Sequence, residues 1–371
     1  MPQLPQSVAE ISAPWLDEIL HQAGAITHSH VVAVESKIIG EGIGYLSSVA
    51  RVKLTYDRPE ENGNSGVAVN SAANTRPATV IVKIEPPNED FRRLGEEFHA
   101  FEREIRFYRE VASQVPVRLP KIYYTLDEPP DYAIVMEDLG FCTAGDQLAG
   151  MQERQVTTAA RMMGTVQAKF WNNTALHKLS WMPDTWDLWK HFNDHWPSFV
   201  EHCRNWLGPE HLLLGRRVAA HFDWIMQQMA DAPPTIVHCD LREDNLLFGP
   251  VGTPEEVLIV DWQLSIRGMG AYDIASLQGG SELATARRGH PFQVLRSWHE
   301  MLVAGGVENY SYDEALRHFR IGNLVCLTLP VYFHMAVLDG KLPRGKLLCE
   351  AQARRHFGAA LEIDAASVLP E

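Results

Sequence analysis

Apolar positions change their period several times along the first 136 residues. Trp15, Ile19 and Leu20 fall on one helical face behind Ser12-Ala13-Pro14, and Gly24 follows, so a helix with a start and a stop is predicted there. Val31-Val32-Ala33-Val34 and Ile38-Ile39 are β-rich. Ala50, Val52, Leu54 and Tyr56 alternate with Arg51, Lys53 and Thr55, the period of a half-buried strand. Val80-Ile81-Val82-Lys83-Ile84 predicts another strand. Phe98, Phe101, Ile105 and Tyr108 recur at three- and four-residue steps, which predicts a helix over 91–111. Two further strands are expected around 122–124 and 132–136. The order is that of a small antiparallel sheet with one packed helix.

Beyond Gly140 the pattern turns mostly helical, with a short β-rich insert near residue 240. A helix is expected over 152–172. Trp181, Trp186, Trp189, Trp196, Trp206 and Trp224 crowd one stretch, and core packing or an apolar pocket would each use them. The most apolar long run, 321–338, contains Asn323, Pro330 and His334, so it predicts a buried helix rather than a membrane span. Residues 57–77 are rich in Asn, Gly, Ser, Glu and Pro, and read as an exposed loop joining two strands. The expected fold class is α+β in two lobes. Residues 1–138 form the sheet-bearing lobe, and 139–371 form a larger, mostly helical lobe.

A chain of 371 residues can bury a core in each lobe. The formal net charge of −14 argues against non-specific nucleic-acid or anionic-membrane partners, which need a basic face. The five cysteines are scattered and form no C-x-x-C pair, which excludes a disulfide framework and a zinc ribbon and points to a reducing, cytoplasmic setting. No basic segment followed by an apolar stretch opens the chain, so no signal peptide is expected.

The chemistry concentrates in His238-Cys239-Asp240-Leu241-Arg242-Glu243-Asp244-Asn245 and in Val260-Asp261-Trp262-Gln263. Asn245 lies five positions after Asp240, and Asp261 lies sixteen beyond Asn245. Phosphoryl transfer needs such a set. One carboxylate, Asp240, orients the attacking hydroxyl and takes its proton, while Asn245 and Asp261 offer hard oxygens to a magnesium ion on the phosphates. Glu243 and Asp244 read as solvated surface charges beside the site, and His238 as a buried scaffold residue.

Lys83 stands on an apolar strand and needs a partner. Nucleotide phosphates together with a helix carboxylate would supply one. Glu104 is preferred for that carboxylate, with Glu97 the rival on nearly the same face. Gly40, Gly42 and Gly44 lie between two strands, where glycine lets backbone N–H groups approach phosphate oxygens, and Ser47 and Ser48 could add hydroxyls. No Gly-Lys-Ser/Thr follows, so this is not a Walker A loop, and no strand-to-helix turn is present as a dinucleotide site would need.

Taken together, residues 40–48, Val82-Lys83, Glu104-Ile105-Arg106-Phe107-Tyr108, Val135-Met136-Glu137-Asp138-Leu139, 238–245 and 260–263 resemble the protein-kinase-like small-molecule phosphotransferases. That superfamily includes the aminoglycoside phosphotransferases, the choline kinases and the ecdysteroid-kinase-like proteins, to which the likeness is greatest. The resemblance implies a bilobal kinase-like fold with ATP between the lobes and backbone groups around Glu137 and Leu139 meeting the adenine. It also implies that Asp273, in Tyr272-Asp273-Ile274-Ala275, braces the catalytic loop. Asp-Trp-Gln stands where protein kinases have Asp-Phe-Gly, and no Ala-Pro-Glu follows, so a small hydroxylated acceptor is expected rather than a peptide. Sterol-like, amino-sugar and choline-like alcohols are all compatible. The competing expectations are a non-catalytic nucleotide-binding protein of the same fold and an antibiotic-resistance aminoglycoside phosphotransferase.

Overall fold

The computed structural model describes residues 4–40, 46–58, 76–129, 131–283, 290–338 and 343–371. Gly42 and Gly44 lie outside the described residues, as does most of the loop expected over 57–77. The chain divides into two compact units, Met1–Tyr108 with Pro120–Gly140, and Arg109–Leu119 with Phe141–Glu371.

In the first unit, helix α1 (Ala13–Gln22) begins at Ser12 with Pro14 in its first turn. It buries Trp15, Leu16, Ile19 and Leu20, and Gly24 follows in the left-handed conformation that glycine adopts without strain. Strands β1 (Val31–Ile39), β2 (Ser48–Tyr56) and β3 (Thr79–Ile84) come next, then helices α2 (Glu89–Glu97) and α3 (Ala100–Arg106), then β4 (Ile122–Glu128) and β5 (Asp131–Glu137). The five strands form one antiparallel sheet in the order β1-β2-β3-β5-β4. The alternation expected for β2 is present: Ala50, Val52 and Leu54 are buried, and Arg51, Lys53 and Thr55 are exposed. Those inward residues join Trp15, Ile19, Val80 and Val82 in one apolar cluster.

The helix expected over 91–111 is broken. His99 takes φ 51°, ψ 36°, which ends α2 and starts α3, and Phe107–Val111 then widens into a short π-helical turn. Histidine is among the residues that tolerate this left-handed conformation, so the apolar period runs on through a backbone that does not.

The second unit contains β6 (Thr143–Ala144), α4 (Glu153–Lys169), α5 (Phe192–Cys203), α6 (Pro209–Ala220), α7 (Phe222–Asp231), β7 (Pro234–Val237), β8 (Leu246–Phe248), β9 (Val257–Ile259), β10 (Ile266–Met269), α8 (Ala271–Ser281), α9 (His290–Ala304), α10 (Tyr312–Cys326), α11 (Thr328–Leu338) and α12 (Pro343–Glu362). The single helix expected over 321–338 is therefore two. Pro330 has no N–H and its ring would strike the carbonyl four residues back, so it cannot continue α10; it sits instead in the first turn of α11, where no donor is required. Among the described residues no helix is long and apolar enough to cross a membrane.

The tryptophan-rich stretch is largely core. Trp181, Trp186, Trp189 and Trp196 are buried, and Trp206 and Trp224 are half-buried. Trp196 stacks on Phe192 at 5.4 Å and on Phe199 at 5.8 Å, and its ring fills the space over Gly215 of α6. A Cβ at that position would overlap the Trp196 ring. Gly215→Ala should therefore cost about 1–3 kcal/mol through overpacking, read as a lower denaturation midpoint at unchanged slope.

Candidate active site

The segment 238–245 links β7 to β8, and Asp261 follows β9. Antiparallel pairing of β8 with β9 sets Leu246 opposite Ile259, and the Val260 N–H donates to the Asn245 carbonyl at 3.1 Å. This hairpin register places Asn245 alongside the chain that leads into Asp261. On the other side, β7 pairs with β10, Val237 opposite Ile266. Four short strands thus hold three residues that are distant in sequence.

The backbone is strained at two of these positions. Cys239 and Asp261 both have φ of 67°, a left-handed conformation that costs a non-glycine residue on the order of 1–3 kcal/mol and persists only where neighbours hold it. The Asp273 carboxylate, in the first turn of α8, holds the first. It accepts the His238 N–H at 2.8 Å, the Cys239 N–H at 3.0 Å and the Gln167 side-chain amide at 3.0 Å. Gln167 is itself fixed by Trp298, whose ring N–H donates to it at 2.7 Å. Burial pushes the Asp273 carboxyl up to about 7, against these donors, which favour its charge. Asp273 has no exposed surface and braces the loop from behind.

His238 is fully buried, and its ring packs edge-on against Trp262 at 4.7 Å. Burial lowers its pKa, so the ring is neutral at pH 7, and its Nε2 donates to the Val260 carbonyl at 3.0 Å. It ties the loop to the segment before Asp261.

Asp240 and Asn245 are in direct contact. The Asn245 amide nitrogen donates to the Asp240 carboxylate at 2.8 Å and to the Asp240 carbonyl at 2.9 Å. Both partners are acceptors, so the orientation of the amide is fixed, and its Oδ1 accepts nothing from the described residues. Asp261 is half-buried and accepts from the Gln263 side chain at 3.1 Å. Two oxygen donors, one neutral and one charged, are the set a hard cation bound mainly by phosphates would take, so the residues fit magnesium.

Glu243 and Asp244 are not surface charges. The Asp244 side chain has no exposed area: Arg242 reaches it at 2.7 Å, the Gln147 N–H at 2.8 Å and Arg344 of α12 at 3.3 Å. Arg242 also lies 3.0 Å from the Asp240 carboxylate. Burial opposes its charge, but Asp240, Asp244 and Asp261 outweigh that and raise its pKa above the ordinary arginine value. Glu243 is buried with its Oε2 lacking a partner, and burial lifts its carboxyl to about 7. Chain folding, not local sequence, buries these groups. Gln147, Gln167 and Arg344 carry no signal in their own segments; only Arg242, two residues after Asp240, was in plain view.

In the first unit, the Lys83 ammonium lies 2.6 Å from the Glu104 carboxylate, and both are nearly inaccessible. Glu97 is exposed, so Glu104 is the partner. Lys83 sits on the central strand β3, with Val49 and Ile134 opposite it, and points to the face away from the Val80 and Val82 cluster, where Glu104 of α3 meets it. Ser47 is half-buried just before β2, and Gly40, with φ 67°, follows β1. At the end of β5 the Glu137 N–H donates to the Lys121 carbonyl at 2.8 Å, so that donor is already committed. Arg51 grips Asp138 with two nitrogens, at 2.7 and 3.0 Å. Leu139, whose side chain is buried, makes no backbone hydrogen bond to another described residue.

The phosphotransferase enzyme family model matches residues 60–308, about two thirds of the chain. This protein belongs to that family. The phosphotransferase is thereby a small-molecule kinase of the protein-kinase-like superfamily. No curated protein sequence matches it. Among solved structures, it is similar to wild-type aminoglycoside 2'-phosphotransferase-IIIa in complex with GDP, with a TM-score of 0.54 at 14% identity over 93% of this chain and 99% of that one. The GDP and kanamycin complex of APH(2")-IIIa gives 0.53 at 13% identity over 95% and 98%. A candidate aminoglycoside phosphotransferase from Ralstonia eutropha JMP134 gives 0.53 at 14% identity over 96% and 98%. At such identities the likeness is one of fold: an N-terminal five-stranded antiparallel sheet followed by a helical C-terminal part.

The phosphotransferase should show a pH signature at Glu243. Its carboxyl titrates near 7 when folded and at about 4.5 when unfolded, so the protonated form favours folding. That contribution is complete below about pH 4.5 and is lost as pH rises through 7. Glu243→Gln should therefore match the wild type in melting temperature near pH 5 and exceed it above pH 7, by roughly 2–4 °C for each kcal/mol recovered.

Proposed function

We propose that this chain is an ATP- and Mg2+-dependent phosphotransferase that moves the γ-phosphate to a hydroxyl of a small molecule. One observation carries the proposal: the Asp240 carboxylate is held by the Asn245 amide at 2.8 Å, and Asn245 lies beside the chain that leads from β9 into Asp261. In this reading Asp240 hydrogen-bonds the acceptor hydroxyl, aligns it for in-line attack and takes its proton. Asn245 Oδ1 and the Asp261 carboxylate hold the magnesium ion, which, when bound, neutralises charge on the nucleotide phosphates. Arg242 keeps the Asp240 carboxylate from swinging away. Lys83, positioned by Glu104, meets phosphate oxygens, with Gly42, Gly44 and Ser47 contributing to the same task. The free backbone of Leu139, next to Glu137, hydrogen-bonds the purine edge.

The functional division is 1–138 for nucleotide and 139–371 for catalysis and acceptor. Motif spelling places the chain nearest the ecdysteroid-kinase-like group. All five cysteines are free thiols, in keeping with a cytoplasmic site of action. A second reading has a specific support. Two of the similar structures above are aminoglycoside phosphotransferase complexes with GDP, one of them also with kanamycin, which makes an amino-sugar acceptor and a guanine nucleotide donor the alternatives to test. A non-catalytic nucleotide-binding role is disfavoured because the chain carries all of Asp240, Asn245, Asp261 and Lys83.

Nucleoside diphosphate release, measured with MgATP or MgGTP against a panel of hydroxylated compounds including kanamycin, tests this. Asp240→Ala should lose at least about a hundredfold in turnover while nucleotide affinity stays within a few-fold, since only the reacting step loses its base. Asp261→Ala should instead abolish the magnesium dependence of nucleotide binding. Wild-type turnover in Asp240→Ala would reject the assignment.

A further inference from the structure

In the first unit, Asp17, His21 and His30 bring a carboxylate and two imidazoles together, and none of them serves the chemistry above. We propose that they form a site for a divalent transition-metal ion, Zn2+ by chemical class, that staples α1 to the start of β1.

The placement follows from the backbone. Asp17 and His21 are four residues apart in α1 and share a face. The chain returns at His30, immediately before β1, and is clamped there on both sides. The Val31 N–H donates to Asp17 Oδ1 at 2.7 Å, and the His30 N–H donates to Asp57 Oδ1 at 2.8 Å. His30 Nδ1 lies 3.1 Å from Asp17 Oδ2, and the His21 and His30 rings face each other at 4.8 Å with 32° between their planes.

A potential ligand atom from each residue lies within 4.8 Å of the others. Tetrahedral Zn2+ with bonds of about 2.0–2.1 Å sets neighbouring donors about 3.3 Å apart, so modest side-chain rotations close the three on one ion. Two further features resemble those of zinc-bound residues. His21 Nδ1 lies 2.8 Å from the Asp17 carbonyl, which fixes a proton on Nδ1 and leaves Nε2 as the donor. The Asp17 carboxylate is oriented by a backbone N–H, an outer-sphere bond that holds a ligand in place before the metal arrives. Two imidazoles and one carboxylate suit Zn2+, Ni2+ or Cu2+, whereas Mg2+ prefers an all-oxygen shell. With His30 largely exposed, water completes the coordination.

Titration of metal-free, nucleotide-free protein with Co2+ reads the site directly. The expected result is one equivalent bound per chain with visible d–d bands, displaced by Zn2+ and not by Mg2+. His21→Gln and His30→Gln should each weaken Co2+ at least tenfold, since losing a ligand costs no less than the 10–100-fold of an outer-sphere change. These variants keep Asp17 and its bond to Val31, so the fold survives them; circular dichroism checks this. Zn2+ should raise the unfolding temperature of the wild type and not of the double variant. Absence of stoichiometric uptake, uptake unchanged in both variants, or thiolate charge-transfer bands showing cysteine ligation would overturn the site. Each result leaves the turnover comparison at Asp240 untouched.

Discussion

A single carboxylate with no access to solvent organises the 238–245 loop. Asp273 accepts two successive backbone N–H groups, from His238 and Cys239, across the left-handed turn that Cys239 must adopt. Without those two bonds nothing compensates the unfavourable conformation, and Asp240, the next residue, loses its direction. Burial alone would neutralise such a carboxyl; the amides and Gln167 work to keep it charged. The loop geometry therefore depends on the packing of α4, α8 and α9, which deliver Gln167, Asp273 and Trp298 to one point.

Charge alternation extends the same logic forward. Arg344, Asp244, Arg242 and Asp240 form a row of opposite signs, each within 3.3 Å of the next. Buried charges persist when paired and hydrogen-bonded, and removing one member strands its neighbour at a cost of about 3–5 kcal/mol. Such a row makes the position of Asp240 answerable to a C-terminal helix a hundred residues away in sequence. The Lys83–Glu104 pair in the first unit obeys the same rule: a lysine on a central strand is tolerated because a helix carboxylate waits 2.6 Å away.

Much was legible in the chain itself. Period-two alternation marked β2, and the spacing of Asp240, Asn245 and Asp261 marked a phosphoryl-transfer layout, because that chemistry restricts residue type and order. Lys83 was legible because an apolar strand does not hold a lone ammonium. Its partner was not, since Glu97 and Glu104 share a helical phase and only the turn at His99 separates an exposed carboxylate from a buried one.

What local sequence determined was element type, governed by contacts within a few residues, and it supplied the residues proposed here as the reactive groups. Tertiary structure alone decided burial. Glu243 and Asp244 look like solvated charges in a polar motif, yet Arg344 and Gln147, from other segments, close over Asp244 and make it a buried ion. The break at Leu327 likewise turns an apparent single helix into two, because Pro330 forbids a backbone bond that side-chain periodicity does not register. Desolvation and long-range pairing depend on which distant segments arrive, and no local pattern of residues encodes that.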